Sequence, residues 1–241
     1  MNLAIFDIDG TLIDTNRVDG ECYARAMELE FGVSSVNEEW RWGNKNLGRW
    51  DSYPHITDSG ITAEIFQRAF ARGPRAEEIQ LFIERYVNLL KASYASEPHL
   101  FNEVPGAGNI LRQLSATSDW KVGIATGGWR ALATYKLRCA RISTEGVPCS
   151  TSNDAVSRED IVNTCIAKAQ SHYDTGRFSK IVSIGDAAWD VRTARALGLP
   201  FIGVGNEDRL RRLGAVHTVQ DYSDPERFIQ VLESAAPPLG K

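Results

Sequence analysis

Residues 3–12 read Leu3-Ala4-Ile5-Phe6-Asp7-Ile8-Asp9-Gly10-Thr11-Leu12. The four residues that open this stretch form a short apolar run, which predicts a strand buried on both faces. Asp7 and Asp9 then fall where the strand ends and the chain turns. Gly10 supplies turning freedom, and the Thr11 hydroxyl is placed for a local backbone hydrogen bond. Alternation puts Asp7 and Asp9 on the same side of an extended chain. Carboxylates are seldom buried without a counter-charge or a metal. Two readings fit these ten residues: a capped turn, or one carboxylate as nucleophile and the other as proton donor and acceptor, with a cation holding their charges together.

Downstream, from about residue 104, short apolar runs alternate with helical patterns. Strands are predicted at 121–125, 147–151, 181–184, 201–204 and 215–219, and helices at 107–114, 130–140, 160–169, 191–197 and 225–232. This βα repetition is the pattern of an α/β, Rossmann-like fold: a mostly parallel sheet with helices on both faces. The first strand has no other partner and must join that sheet. Between them the pattern changes. Residues 19–31 place Tyr23, Met27 and Phe31 on one helical face, with Gly32 as terminator. Residues 63–71 and 75–92 carry apolar positions at helical spacing, Ile65, Phe66 and Phe70 in one and Ile79, Phe82, Ile83, Tyr86 and Leu90 in the other. The chain thus divides into an α/β core, 1–14 and 98–241, and an inserted all-helical lobe, 15–97.

Ligands of such sheets bind beyond the C-terminal ends of the strands, which directs attention to two further stretches. In Ile124-Ala-Thr-Gly-Gly-Trp-Arg130, Thr126 ends a strand, and the N–H groups of Gly127 and Gly128 can approach an anion closely beside a helix start. A plain βα turn is the other reading. In Ser183-Ile-Gly-Asp-Ala-Ala-Trp-Asp190, Asp186 and Asp190 face the same side if a helix begins there. Two more carboxylates at this edge would repel Asp7 unless a cation is present. An all-oxygen donor set calls for a hard ion, Mg²⁺ first. Between these stretches Arg158 precedes Glu159 and Asp160 in a helix that Ser157 can cap. It is either a counter-charge for Asp7 and phosphate or a surface residue paired with its acidic neighbours.

The order of these motifs resembles the haloacid dehalogenase superfamily, in particular its phosphatase-like members with a helical cap after the first core strand, similar to phosphoglycolate phosphatases and β-phosphoglucomutases. The resemblance spans nearly the whole chain. It implies Asp7 as nucleophile and Asp9 as acid/base. It also implies Thr126, Gly127, Gly128 and Arg158 as phosphoryl-binding groups. A Mg²⁺ site would be formed by Asp7, Asp9 through its backbone carbonyl, Asp186 and Asp190. The implied activity is Mg²⁺-dependent hydrolysis of the phosphoric monoester of a small phosphorylated metabolite through an aspartyl-phosphate. A sugar-phosphate mutase and a non-catalytic phosphate-binding relative are the alternatives. A dehalogenase or phosphonate-cleaving relative resembles the chain less, because those members usually lack an aspartate at the position of Asp9.

Substrate selection would fall to the helical lobe. Candidates are Arg17, Glu21, Arg41, Lys45, Arg49, His55, Thr57 and Asp58. The stretch 40–50 mixes three tryptophans with three cations. It fits either an anionic or aromatic leaving group or a lobe core with solvated charge. Residues 55–60 resemble a cap loop that faces the nucleophile, which brings Thr57 and Asp58 forward.

Composition bounds the rest. The chain has 241 residues, a formal net charge of −4, 43% hydrophobic and 24% charged residues, an ordinary globular balance. No long basic stripe invites nucleic acid, and Arg209, Arg211 and Arg212 read as a solvated helix face. No run approaches the length of a membrane span, and no secretory leader pattern opens the chain. Cys22, Cys139, Cys149 and Cys165 are widely spaced and form no zinc pattern. The expectation is a reduced, cytoplasmic protein with no nucleic-acid or membrane partner and no obligate protein partner.

Overall fold

A computed structural model describes residues 1–33 and 53–240. Its centre is a parallel sheet of six strands in the order β3-β2-β1-β4-β5-β6. The strands are β1 (Asn2–Phe6), β2 (Trp120–Ala125), β3 (Cys149–Ser150), β4 (Ile181–Gly185), β5 (Phe201–Val204) and β6 (His217–Val219). The first apolar run therefore sits in mid-sheet, between β2 and β4.

Its burial explains its sequence. Leu3 and Ile5 pack on one face with Ile161, Val162, Cys165 and Ala169 of α6 (Arg158–His172). Ala4 and Phe6 pack on the other with Ile110, Leu111 and Leu114 of α4 (Ala107–Ala116) and with Phe228 and Leu232 of α9 (Pro225–Ser234). A strand with helices on both faces has no solvent side, so its apolar run is continuous rather than alternating. The remaining core helices are α5 (Arg130–Cys139), α7 (Ala188–Ala196) and α8 (Glu207–Arg212). The last carries Arg209, Arg211 and Arg212 in its final turn; Arg211 and Arg212 are exposed as expected, but Arg209 departs from the solvated-face reading by donating to the Asp186 carbonyl at 2.5 Å.

Between β1 and α4 the described chain is helical: α1 (Asn16–Phe31), α2 (Asp58–Phe70), α3 (Ala76–Ser96) and a 3-10 turn at Pro98–Phe101. Tyr23, Met27, Phe66, Phe82, Tyr86 and Leu90 of these helices form an apolar cluster, and Trp129, at the N-cap of α5, joins it with Leu132 and Tyr135 of α5. The edge of Trp129 meets Phe82 at 5.6 Å, and its indole N–H donates to Ser59 Oγ at 2.9 Å. The inserted helices thus share a core with a helix that follows β2.

Several helices start earlier than their apolar periodicity suggests, because polar caps extend them. Thr57 accepts from Gly60 N at the start of α2, and Ser157 accepts from Asp160 N at the start of α6. Asp190 reaches back to Ala187 N at the start of α7. The predicted strand at 147–151 shortens to two residues at the sheet edge, directly after Pro148, which has no N–H to give to a ladder. All four cysteines are free, and among the described residues no helix is long and apolar enough to cross a membrane.

Candidate active site

Asp7 follows β1, Thr126 follows β2 and Asp186 follows β4, so three adjacent strands deliver them to one edge. Asp190 arrives one turn into α7. Asp7, Asp186 and Asp190 are all buried and offer carboxylate oxygens within 4.8 Å of one another. Burial raises the pKa of each; the charges of Asp190 and Asp7 add to it at Asp186, that of Asp7 at Asp190, which reaches about 7, and that of Asp9 at Asp7. Arg158 opposes the rise at Asp7 and Asp190. Gly10 makes the close approach possible. Its φ is +74°, and a Cβ there would collide with the Asp186 carboxyl and the Asn16 amide. Asn16 instead donates to Asp186 Oδ2 at 3.1 Å.

A hard divalent cation fits this cluster. Asp7 Oδ1 is buried with no hydrogen-bond partner among the described residues. Three clustered carboxylates carry more charge than the two guanidiniums beside them supply, Arg158 at Asp7 and Asp190 and the half-exposed Arg209 3.8 Å from Asp186 Oδ2. The donors are oxygens only, which selects Mg²⁺-like ions over zinc or copper. The Asp9 side chain is not in this cluster.

Thr126, Gly127, Gly128 and Arg158 line the cavity next to it. Arg158 Nη1 is 2.8 Å from Asp190 Oδ1 and 3.5 Å from Asp7 Oδ2, and its Nε donates to the Ile56 carbonyl at 2.8 Å. The guanidinium lies over the Trp189 ring, 5.5 Å from its centroid. A Cβ on Gly127 would come within 2.7 Å of that guanidinium and 3.0 Å of Ile56 O, so only glycine lets the turn after β2 pass here. Thr126 is buried and accepts from Gly128 N at 3.2 Å. Of the two sequence readings of Arg158, the structure adopts the one that faces Asp7.

Asp9 is held by a residue that sequence reasoning missed. Lys136 of α5 has a side chain only 1% exposed, and its Nζ lies 2.7 and 2.6 Å from the two Asp9 oxygens. It also donates to Asp19 Oδ1 on α1 at 2.7 Å. Thr15 Oγ1 adds a short hydrogen bond to Asp9 Oδ1. Burial alone would lower the Lys136 pKa, but Asp19 and Asp9 outweigh it and hold the ammonium above its ordinary range. Burial raises Asp19 to about 6 against the pull of Lys136. One signal was present in the sequence: Lys136 follows Leu132 by four residues and Ala133 by three, on the buried face of its helix.

Thr57 and Asp58 line the same cavity as Asp7, Asp9, Thr126 and Arg158. Thr57 Oγ1 donates to Val156 O at 2.8 Å. Asp58 accepts from Trp129 N at 2.8 Å, and its own N donates to Gly127 O at the same distance. Burial, with Asp19 adding, brings the Asp58 pKa to about 7. Arg17 and Glu21 are exposed and face each other at 3.9 Å, and His55 is exposed. Arg41, Lys45 and Arg49 lie outside the described residues.

Comparison with known proteins bears on the fold and the family. Phosphonoacetaldehyde hydrolase of Pseudomonas paraeruginosa is 29% identical over 128 residues, which cover 53% of this chain and 44% of that protein. The matched stretch is thus less than half the length of that relative. Among solved structures, a hydrolase from Pseudomonas syringae superposes with a TM-score of 0.66 at 20% identity, covering 95% of this chain and 98% of the other. CbbY from Rhodobacter sphaeroides, solved with phosphate, gives 0.62 at 18% identity, over 92% and 95% of the two chains. These likenesses concern the fold. The profile of the haloacid dehalogenase-like hydrolases matches residues 4–204. Because that match runs from the first strand through the fifth and across the whole carboxylate cluster, the chain belongs to the haloacid dehalogenase-like hydrolases.

Proposed function

We propose that this protein hydrolyses the phosphoric monoester of a small metabolite, with Asp7 as nucleophile and Mg²⁺ as the resident ion. The observation that carries the reading is the placement of two differently held carboxylates, Asp7 and Asp9, in one cavity with Arg158. Asp7 attacks phosphorus and the ester oxygen departs, leaving phosphate on the Asp7 carboxylate. Asp9 gives a proton to the departing oxygen and then takes one from the water that cleaves the acyl phosphate. Arg158, Thr126 and the Gly127 and Gly128 N–H groups hold the phosphoryl oxygens. Asp7, the Asp9 carbonyl, Asp186 and Asp190 would hold the ion, which supplies positive charge against the phosphate.

A second reading comes from the curated relatives, which are named for phosphonoacetaldehyde. Cleaving a phosphorus–carbon bond leaves charge on carbon rather than on an ester oxygen. The presence of Asp9, a proton donor suited to an oxygen, favours the ester. One experiment separates the readings: phosphate release from a panel of monoesters and from phosphonoacetaldehyde, with isomerised sugar phosphates followed in parallel. Release from monoesters with little isomerisation is expected. Release from the phosphonate alone, or isomerisation with little phosphate, overturns the ester-hydrolase reading.

Two further results follow from the site. Arg158→Ala should lower kcat/KM on the order of 100-fold, the scale of a buried charge-assisted contact to phosphate. A loss under about threefold would remove Arg158 from phosphoryl binding. Alanine at Arg41, Lys45 or Arg49 should change preference among the monoesters more than Mg²⁺ affinity. Identical relative kcat/KM values across the panel in all three variants would mean that these residues do not select the substrate.

A further inference from the structure

The side chain of Lys136 is almost wholly removed from solvent, 117 residues from one partner and 127 from the other. An ammonium has three protons to donate. Here its contacts run to both oxygens of Asp9 and one of Asp19. Both Asp9 oxygens are therefore fixed, and with Thr15 on Oδ1 the plane of that carboxyl is set. The far side of the bridge is equally constrained. Asp19 sits on α1, where its backbone carbonyl accepts from Tyr86 Oη of α3 at 3.0 Å, and the Tyr86 ring meets Tyr23 edge-on at 5.7 Å. The bridge thus runs from the inserted helices, through a helix of the sheet layer, to Asp9.

From this geometry we infer that Lys136 is the positioning residue for Asp9, and that through Asp19 it makes the seating of α1 against α5 a condition for placing the proton-transfer group. The inference rests on the monoester-hydrolase reading. Lys136 does not touch the phosphoryl group. Its effect passes through the Asp9 carboxyl, so it falls on steps in which Asp9 moves a proton. A purely structural bridge would instead lower every activity alike.

The test compares two esters that differ in their need for a proton. Ethyl phosphate releases ethoxide, which requires protonation as it departs, whereas 4-nitrophenyl phosphate releases a stable phenolate. Reading kcat/KM confines the comparison to the first chemical step. Lys136→Met keeps the length of the side chain and removes the charge. It should lower kcat/KM for ethyl phosphate on the order of 100-fold and for 4-nitrophenyl phosphate by less than about fivefold. Removing one partner of a buried pair is destabilising, so Lys136→Met/Asp19→Asn, which removes one cation and one anion together, is measured beside it and should show the same split. Asp19→Asn alone keeps Lys136 on Asp9 but frees the far end of the bridge, and should give a smaller split of the same sign. Equal losses on both esters in folded variants, or no loss on either, overturn the inference and leave the hydrolase reading standing. Wild-type protein inactive on both esters overturns the reading and the inference together.

Discussion

Asp7→Asn is expected to fold normally and to lose turnover by about 10⁴-fold or more, the scale seen when a nucleophile is removed. The substitution is nearly isosteric, so the buried space after β1 stays filled. It replaces one of three clustered carboxylates with a neutral amide, and Arg158 keeps its 2.8 Å contact with Asp190. The melting temperature of metal-free protein should therefore hold or rise while activity disappears. The opposite movement of the two quantities separates chemistry from folding. Wild-type protein quenched in acid during turnover should carry phosphate on the peptide that contains Asp7. Full activity in the purified variant, or phosphate on another residue, would falsify the assignment of the nucleophile.

Removal of divalent ions should abolish phosphate release, and Mg²⁺ should restore it. The second readout is stability. An ion that binds the folded state at a hundred times its Kd adds about 2.7 kcal/mol, which for a chain of this size raises Tm by roughly 5–10 °C. The pH dependence has a defined sign. Asp190 lies near 7 in the fold against an ordinary 3.8, and Asp7 and Asp186 are raised as well. A carboxyl raised by folding favours the folded state while both states are protonated, and that contribution fades as pH climbs through the folded value. Metal-free protein should thus lose stability between about pH 4 and 7, and saturating Mg²⁺ should flatten the loss. Undiminished activity in rigorously metal-free protein would remove the ion from the proposal. A melting temperature that is flat in pH and indifferent to Mg²⁺ would show that the cluster does not bind it.

The parts of the site legible in the sequence share one property: their signal is local. Asp7 and Asp9 stand two residues apart at the end of an apolar run. Thr126 stands before two glycines, and Asp186 and Asp190 stand one helical turn apart. Strand ends, turns and helix starts are decided within a few residues, so these positions can be placed at one sheet edge before any fold is seen. The continuous apolar character of β1 likewise announced that both its faces would be covered. Helix boundaries were less legible where a polar cap carried a helix beyond its apolar stripe, as Thr57 does for α2 and Ser157 for α6.

By itself, then, the sequence determined the strand-helix alternation, the helical insertion and the four aspartates at strand ends, because periodicity and turn chemistry act over short spans. Only the tertiary structure decided which cation answers which carboxylate. Arg158 had acidic neighbours in sequence, yet it faces Asp7 and Asp190. Lys136 reads as one cation in a mixed helix, yet it is buried between Asp9 and Asp19. Asp58 reads as a cap-loop residue facing the nucleophile, yet its carboxylate also accepts from the backbone N–H of Trp129. The physical reason is common to all three. A charge taken out of water must find its partner in space, and the chain supplies that partner from wherever packing brings it, more than a hundred residues away for Lys136.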